Sequence, residues 1–420
     1  MPNSVAASDA EGSHLGKPNL AAPFLPQAVP ITQVVLKATS ACNLNCSYCY
    51  VYNKGDETWK TQPGLIEDTV LDQLLERIRS HALQSGQGEI RFTIHGGEPM
   101  LVGPTRFRDW CRKIHKALGH LEIFIDIQTN ATLITEAWTD LFVEYGIEVN
   151  VSTDGPRAVH DRYRVDHLGR GSYDRFVRGI DRLNDAGIPF GILSVLQLGE
   201  DPVAIHRHFV DLGCSAIGYL LPAETHDTVA ELRRQYGPTP CADYLVPVFD
   251  EWWFNNPMTV AVREFWNIAR LILGGKTLLD SLGNPPIRFV GIQPDGAMES
   301  LDKLRVCEPS FADIGLNIKT HDLKDILATT GVHRDVMAGM PLPDGCKGCR
   351  EEKTCAGGYL PNRYAAATGF NNPSVWCADL YKLFGHVRMR MEVTPDQTHD
   401  LRTRYAVRND DQTQLEGALQ

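Results

Sequence analysis

Ile31-Thr-Gln-Val-Val-Leu-Lys-Ala-Thr-Ser40 runs directly into Ala41-Cys42-Asn-Leu-Asn-Cys46-Ser-Tyr-Cys49. The first stretch is short, apolar and rich in β-branched residues, which predicts a buried strand. Three thiols then fall on the segment that leaves it. Thiolate is the ligand of iron–sulfur clusters, and three thiolates on a four-iron cube leave one iron open. An open metal site can bind substrate, whereas a closed one holds structure or passes electrons. Zinc and buried inert thiols are the alternatives. A structural zinc site usually takes four protein ligands, and no other Cys or His lies near this cluster in the sequence.

Similar runs recur at residues 89–96, 121–130, 147–155, 189–197 and 216–224, each ending in Gly, Asn, Gln or Glu near polar or turn-forming residues. Helical patterns separate them. Ile66, Val70, Leu74 and Ile78 fall four apart, and 106–118, 134–145, 173–184 and 202–212 read likewise. Six βα units imply a parallel sheet with helices outside. Periodicity alone leaves a partial barrel and an open doubly wound sheet both standing. In either, loops at the carboxyl ends of strands carry the chemistry.

Residues 225–285 turn helical and aromatic, with Trp252, Trp253, Phe254, Phe265 and Trp266, and read as a connector packed by those rings. Asp295-Gly296 between extended runs signals a hairpin. Residues 1–30, rich in Pro and small residues, and 393–420, poor in apolar ones, read as flexible ends.

Composition narrows the classes. The 420 residues carry 41 Lys+Arg against 52 Asp+Glu, a net charge of −11, which argues against nucleic acid as the main partner. No apolar run is long enough for a membrane span, and the N-terminal stretch has no signal-peptide pattern. A cytoplasmic location is expected. In a reducing compartment eleven clustered cysteines read first as metal ligands or redox groups.

The spacing CxxxCxΦC, with Tyr48 as the aromatic Φ, resembles the signature of the radical S-adenosylmethionine (SAM) superfamily. The resemblance implies an α/β fold, a partial (β/α)6 TIM-type barrel over 31–224. It implies a [4Fe-4S] cluster on Cys42, Cys46 and Cys49, with SAM chelating the open iron and yielding a 5′-deoxyadenosyl radical. Gly96-Gly97-Glu98-Pro99 matches the segment that holds the methionine amino group. By the same resemblance Asn130, Ser152 and Val195 lie against SAM, and Arg164 pairs with its carboxylate.

A second set, Cys346, Cys349, Cys355 and Cys377, has the pattern C-x2-C-x5-C-x21-C. Spacing alone leaves iron and zinc open. It resembles the SPASM extension of radical SAM enzymes, a small Cys-rich α+β domain placed here at 286–392. That pattern holds two auxiliary clusters, but here Leu301 and Tyr359 stand at two of the cysteine positions. One auxiliary [4Fe-4S] cluster is therefore expected, with Cys307 left over as a rescued ligand or a buried thiol. Asp302, directly after Leu301, matches the residue that takes the substrate proton in sulfatase-maturing relatives.

Cys355-Ala-Gly-Gly-Tyr-Leu and the segment 369–377 look like the FxsB-like and glycine-rich-repeat maturase branch. This implies a peptide maturase that cross-links a ribosomal precursor, forming a cyclophane between an aromatic ring and a Cβ. A separate leader-recognition protein and a flavodoxin or ferredoxin donor would be its partners. Formylglycine formation in a sulfatase is the alternative, and an iron–sulfur carrier or zinc-stabilised binding protein is the non-enzymatic one.

Overall fold

β1 (Gln33–Lys37), β2 (Glu89–His95), β3 (Glu122–Thr129), β4 (Glu148–Ser152), β5 (Phe190–Val195) and β6 (Ala216–Leu220) each fall inside one of the predicted runs. The computed structural model describes residues 29–255, 259–277, 279–394 and 396–398. The expected flexible ends, 1–30 and 393–420, lie outside the described residues except at their inner borders.

The six strands are parallel and stand in the order β6-β5-β4-β3-β2-β1. This order never reverses. A doubly wound sheet requires a reversal where the chain switches direction, so the winding is that of a partial barrel. The crossover helices are α1 (Asp68–Ser85), α2 (Pro104–Leu118), α3 (Glu136–Tyr145), α4 (Arg157–Tyr163), α5 (Tyr173–Asp185) and α6 (Pro202–Asp211). In α1 the predicted stripe is the buried one: Val70, Leu71, Leu74, Leu75 and Ile78 face the core. The left-handed Gly86, which costs glycine little, ends that helix.

Alternation along the strands sets the chemistry of the interior. On β2, Ile90, Phe92 and Ile94 are buried in the core, while Arg91, Thr93 and His95 point to the other face. Parallel register then aligns that second set across the sheet. Lys37 pairs with His95, Thr93 with Asp126, and Gln128 with Asn150.

The sheet continues past the six units. β7 (Ala261–Val262) adds to β6, β8 (Phe289–Ile292) pairs in parallel with β1, and β9 (Met298–Glu299) folds back antiparallel on β8. The Asp295-Gly296 hairpin thus forms where the sequence signals it, with Gly296 at φ +90°. Although it follows residue 286, this hairpin belongs to the barrel sheet. The connector comprises α7 (Val229–Tyr236), α8 (Pro240–Asn255) and α9 (Arg263–Ile272), in which Phe249, Trp252 and Phe265 are buried. After β9 come α10 (Gly331–Ala338), α11 (Glu352–Cys355) and α12 (Cys377–Met391). Asp379 of α12 accepts the N–H groups of Cys241 and Ala242 at the start of α8, at 2.7 and 2.9 Å, and so fastens the two helices together. Among the described residues no helix is long and apolar enough to cross a membrane.

A buried charge network holds the segment after β9 against the barrel. Arg305 donates to both Asp56 and Glu299, and Lys37 reaches Glu299 at 3.0 Å; all four side chains are nearly sealed from solvent. Removing one partner from such a set strands a buried charge. Arg305→Met is expected to lower stability by about 3–5 kcal/mol in chemical denaturation. Arg79→Ala, in the exposed pair with Glu76, is expected to change it by less than about 0.5 kcal/mol. Equal effects would show that the network carries no special weight.

Candidate active site

Cys42, Cys46 and Cys49 lie on the loop after β1, and all three line one cavity of about 430 Å³. The loop is seated by its own backbone. Asn45 N–H donates to the Val165 carbonyl at 2.7 Å, Ser47 N–H to Tyr163 at 3.1 Å, and Tyr52 Oη–H to Ser40 at 2.8 Å. Beneath it passes Gly96-Gly97. Gly97 N–H donates to the Thr39 carbonyl at 2.9 Å and Glu98 N–H to Ala41 at 3.0 Å. A Cβ on Gly97 would stand 2.0 Å from the Ala41 oxygen, and one on Gly96 2.5 Å from the Thr39 oxygen. The two glycines therefore admit the cysteine loop itself.

Glu98 is buried and fully engaged. It accepts from Asn130 N–H at 2.8 Å, Thr129 Oγ1–H at 2.6 Å and Met100 N–H at 3.1 Å. Burial raises its carboxyl, and these bonds work against the rise. Asn130 in turn donates to Asn43 Oδ1 at 2.8 Å, tying the end of β3 to the cysteine loop. Tyr48 donates to Asp154, and Arg164 donates to the Tyr48 oxygen from the same wall. Arg164 is buried, and its Nε has no hydrogen-bond partner. Ser152 accepts from Gln128 at 2.8 Å. Tyr48, Gly96, Gly97, Glu98, Asn130, Ser152, Arg164 and Val195 thus line the same cavity as the three thiols. Pro99 does not; it starts the buried turn beneath.

Asp302 stands behind this wall. Tyr50, which lines the cavity, donates to Asp302 Oδ2 at 2.5 Å, and Lys37 lies 3.7 Å from the same oxygen. Burial alone would raise this carboxyl, but Lys37, then Arg305 and His95, together with the Tyr50 bond, hold it well below the usual carboxylate range. Its side chain is 23% accessible, and it meets the cavity through Tyr50 rather than lining it. Lys303 lines the cavity, with Nζ 5.7 Å from the Tyr50 ring and 5.5 Å from the Tyr359 ring. His95 lines it too, and burial favours its neutral form. Sequence reasoning missed Tyr50, His95 and Lys303. Each is the immediate neighbour of a motif residue, which was the available signal.

The second set also converges. Cys346, Cys349, Cys355 and Cys377 line one small pocket, with Cys377 opening α12. Leu301 is buried, and Tyr359 lies under Lys303. Cys307 lines neither cavity; its Sγ–H points to the Pro361 carbonyl at 3.6 Å.

These residues fit iron–sulfur groups. Burial pushes the Cys42 and Cys355 thiols up to about 12 and raises Cys46 and Cys49 as well, so a bound metal centre is what would ionise them. Among the described residues no three His, Cys, Asp or Glu side chains gather tightly around a single metal-ion position. The first cavity is lined by the three thiols and by Arg164, whose guanidinium is suited to a carboxylate such as that of SAM.

The radical SAM superfamily profile matches residues 36–234. A cysteine-type anaerobic sulfatase-maturating enzyme of Clostridium perfringens (strain 13 / Type A) is 27% identical over 344 residues, covering 78% of this chain and 88% of that protein. A serine-type anaerobic sulfatase-maturating enzyme of Bacteroides thetaiotaomicron is 27% identical over 397 residues, covering 88% of this chain and 92% of that protein. Solved structures of anSMEcpe with bound AdoMet, without and with a Cp18Cys peptide, share the fold at TM-score 0.73 and 23% identity, over 86% of this chain and 97% of theirs.

The expectation of a cyclophane-forming cross-linker is corrected by these relatives, which are sulfatase-maturating enzymes along most of their length. The FxsB-like branch has no support among them. The physical reason is plain in the fold: Gly357, Pro373 and Ser374, from the segments that suggested that branch, line the second cysteine pocket rather than the large cavity. They therefore say nothing about what the large cavity admits. With the profile match, the unreversed barrel and the three-thiol loop in agreement, residues 36–234 belong to the radical SAM superfamily, whose cofactors are a [4Fe-4S] cluster and SAM.

Proposed function

We propose that this protein is a radical SAM dehydrogenase that oxidises a Cys or Ser side chain of a polypeptide to the aldehyde of formylglycine, as a sulfatase-maturing enzyme. The observation that carries this reading is one cavity lined by both the three-thiol loop and Tyr50, whose hydroxyl donates to Asp302 behind the wall. Similarity to relatives of both the cysteine and the serine type supports it. Cys42, Cys46 and Cys49 would hold the first cluster, and Cys346, Cys349, Cys355 and Cys377 one auxiliary cluster. A flavodoxin or ferredoxin in the cytoplasm would supply the starting electron.

Bound together, the cluster and SAM supply a carbon-centred radical that removes a hydrogen atom from the substrate Cβ. The chain's own residues serve the remainder of the oxidation. The substrate radical, still carrying S–H or O–H, must lose one proton and one electron to become a thioaldehyde or an aldehyde, and the electron would go to an auxiliary cluster on the second cysteine set. Water then replaces sulfur in the cysteine case, releasing hydrogen sulfide. Tyr50 and Lys37 both occupy Asp302 Oδ2, which leaves Oδ1 as the oxygen open to a proton. So firmly ionised a carboxylate is a weak base. It suffices because loss of the electron makes the adjacent S–H or O–H far more acidic. Lys303 presents a positive charge to the same space and would hold a substrate carbonyl.

Incubated anaerobically with reductant, SAM and sulfatase-derived peptides bearing Cys or Ser, the protein is expected to give a product that reacts with a hydrazide probe. Formation of 5′-deoxyadenosine without any aldehyde from either peptide would overturn the reading. Asp302→Asn is expected to slow aldehyde formation about 10²-fold while 5′-deoxyadenosine still forms; an unaltered aldehyde rate would remove Asp302 as proton acceptor. Gly97→Ala is expected to lose the iron of the first site, measured per chain, while circular dichroism keeps the helix content of the parent.

A further inference from the structure

Arg363 closes a short turn, Leu360–Arg363, after Cys355-Ala-Gly-Gly. It is 0% exposed. Every hydrogen bond its guanidinium makes goes to a backbone carbonyl. Nε donates to Gly357 and Gly358, both at 3.1 Å; Nη2 donates to Ala356 at 2.6 Å and Gly358 at 2.8 Å; Nη1 reaches Pro341 at 3.4 Å. The backbone is bent to allow this. Ala356, Gly357 and Gly358 stand in succession at φ +50°, +86° and +73°, which turns their carbonyls onto the side chain. An alanine in the left-handed region is strained, so something holds it there.

Among the described residues no carboxylate hydrogen-bonds to Arg363. Gly357, whose carbonyl Arg363 holds, lines the pocket of Cys346, Cys349, Cys355 and Cys377, and of these the sulfurs of Cys355 and Cys346 act most on Arg363 and would be anionic once they hold a metal centre. The nearby acid Glu351 is already matched, since Arg388 donates to both its oxygens at 3.0 and 2.8 Å. Carbonyl dipoles solvate a buried cation only in part, and a sealed charge normally has a counter-charge. Here the cysteines of the second site are the groups in position to supply it.

Resting on the reading of Cys346, Cys349, Cys355 and Cys377 as ligands of an auxiliary cluster, we propose that Arg363 is the fixed counter-charge of that cluster and the positioning residue of its Cys355 loop, and that it raises the cluster's reduction potential. Reduction adds one electron and makes the cluster more negative. A cation fixed on the backbone that follows Cys355, away from water, stabilises the reduced form more than the oxidised one.

The test uses the full chain carrying Cys42→Ala, Cys46→Ala and Cys49→Ala, reconstituted anaerobically with iron and sulfide so that any cluster present is auxiliary. A redox titration is followed by electron paramagnetic resonance. Adding Arg363→Gln is expected to shift the oxidised-to-reduced ratio at the parent's midpoint at least tenfold toward oxidised, about 59 mV for one electron. An unshifted ratio would overturn the proposal. Absence of a cluster from the parent itself would instead overturn the ligand reading. If the Gln variant loads no cluster, Arg363→Lys decides. Loading with a ratio within threefold of the parent supports the counter-charge role, and failure to load despite the retained charge removes it.

Discussion

Everything at the catalytic end rests on one close approach, the backbone of Gly96 and Gly97 against Thr39 and Ala41. That contact lets the cysteine loop lie flat on the end of β2. It also delivers Glu98 to the end of β3, where three donors fix it. Asn130 then closes the circuit back to Asn43. The arrangement is rigid because each part is held by main-chain atoms, whose hydrogen bonds cannot be left unmade in a buried place. The side chains that face the cavity inherit their positions from it.

Next to this seat lies a region of charge. Lys37, Glu299, Arg305 and Asp56 form a sealed network, and Asp302 joins it at one edge. Leu301 and Tyr359 occupy positions that the SPASM pattern gives to cysteine, and side chains fill the space around them. Behind Tyr50 and Lys303, which line the cavity, stand ion pairs and a second phenol. This gives Asp302 its unusual state: sunk in protein, yet more firmly ionised than a surface acid, because two cations outweigh the cost of burial.

Much of the barrel was legible from the sequence. Its strands are short apolar runs with terminators, and its helices show a clean four-residue stripe, so local pattern and final burial agree in α1 and β2. Strand order was not legible, because periodicity carries no information about neighbours; only the pairing of β1 with both β2 and β8 shows it. The cavity-lining motif residues could be named because they match the motifs of the resemblance, several of them at strand ends. Tyr50, His95 and Lys303 could not, since a single residue next to a motif looks the same whether it faces inward or outward. The reading of the substrate went astray for a related reason: it leaned on Gly-rich segments whose work is to wrap the second cysteine pocket.

The pairing of β8 with β1 has a bearing on biogenesis. β1 leaves the ribosome before the other strands of its sheet, and its second neighbour arrives only after β2 to β7 and helices α1 to α9 have been made. Until then one flank of the nascent sheet is a bare edge, open to pairing with another chain. Such distant partners also slow productive closure. During synthesis, that waiting edge is the place where a chaperone would do most to prevent aggregation.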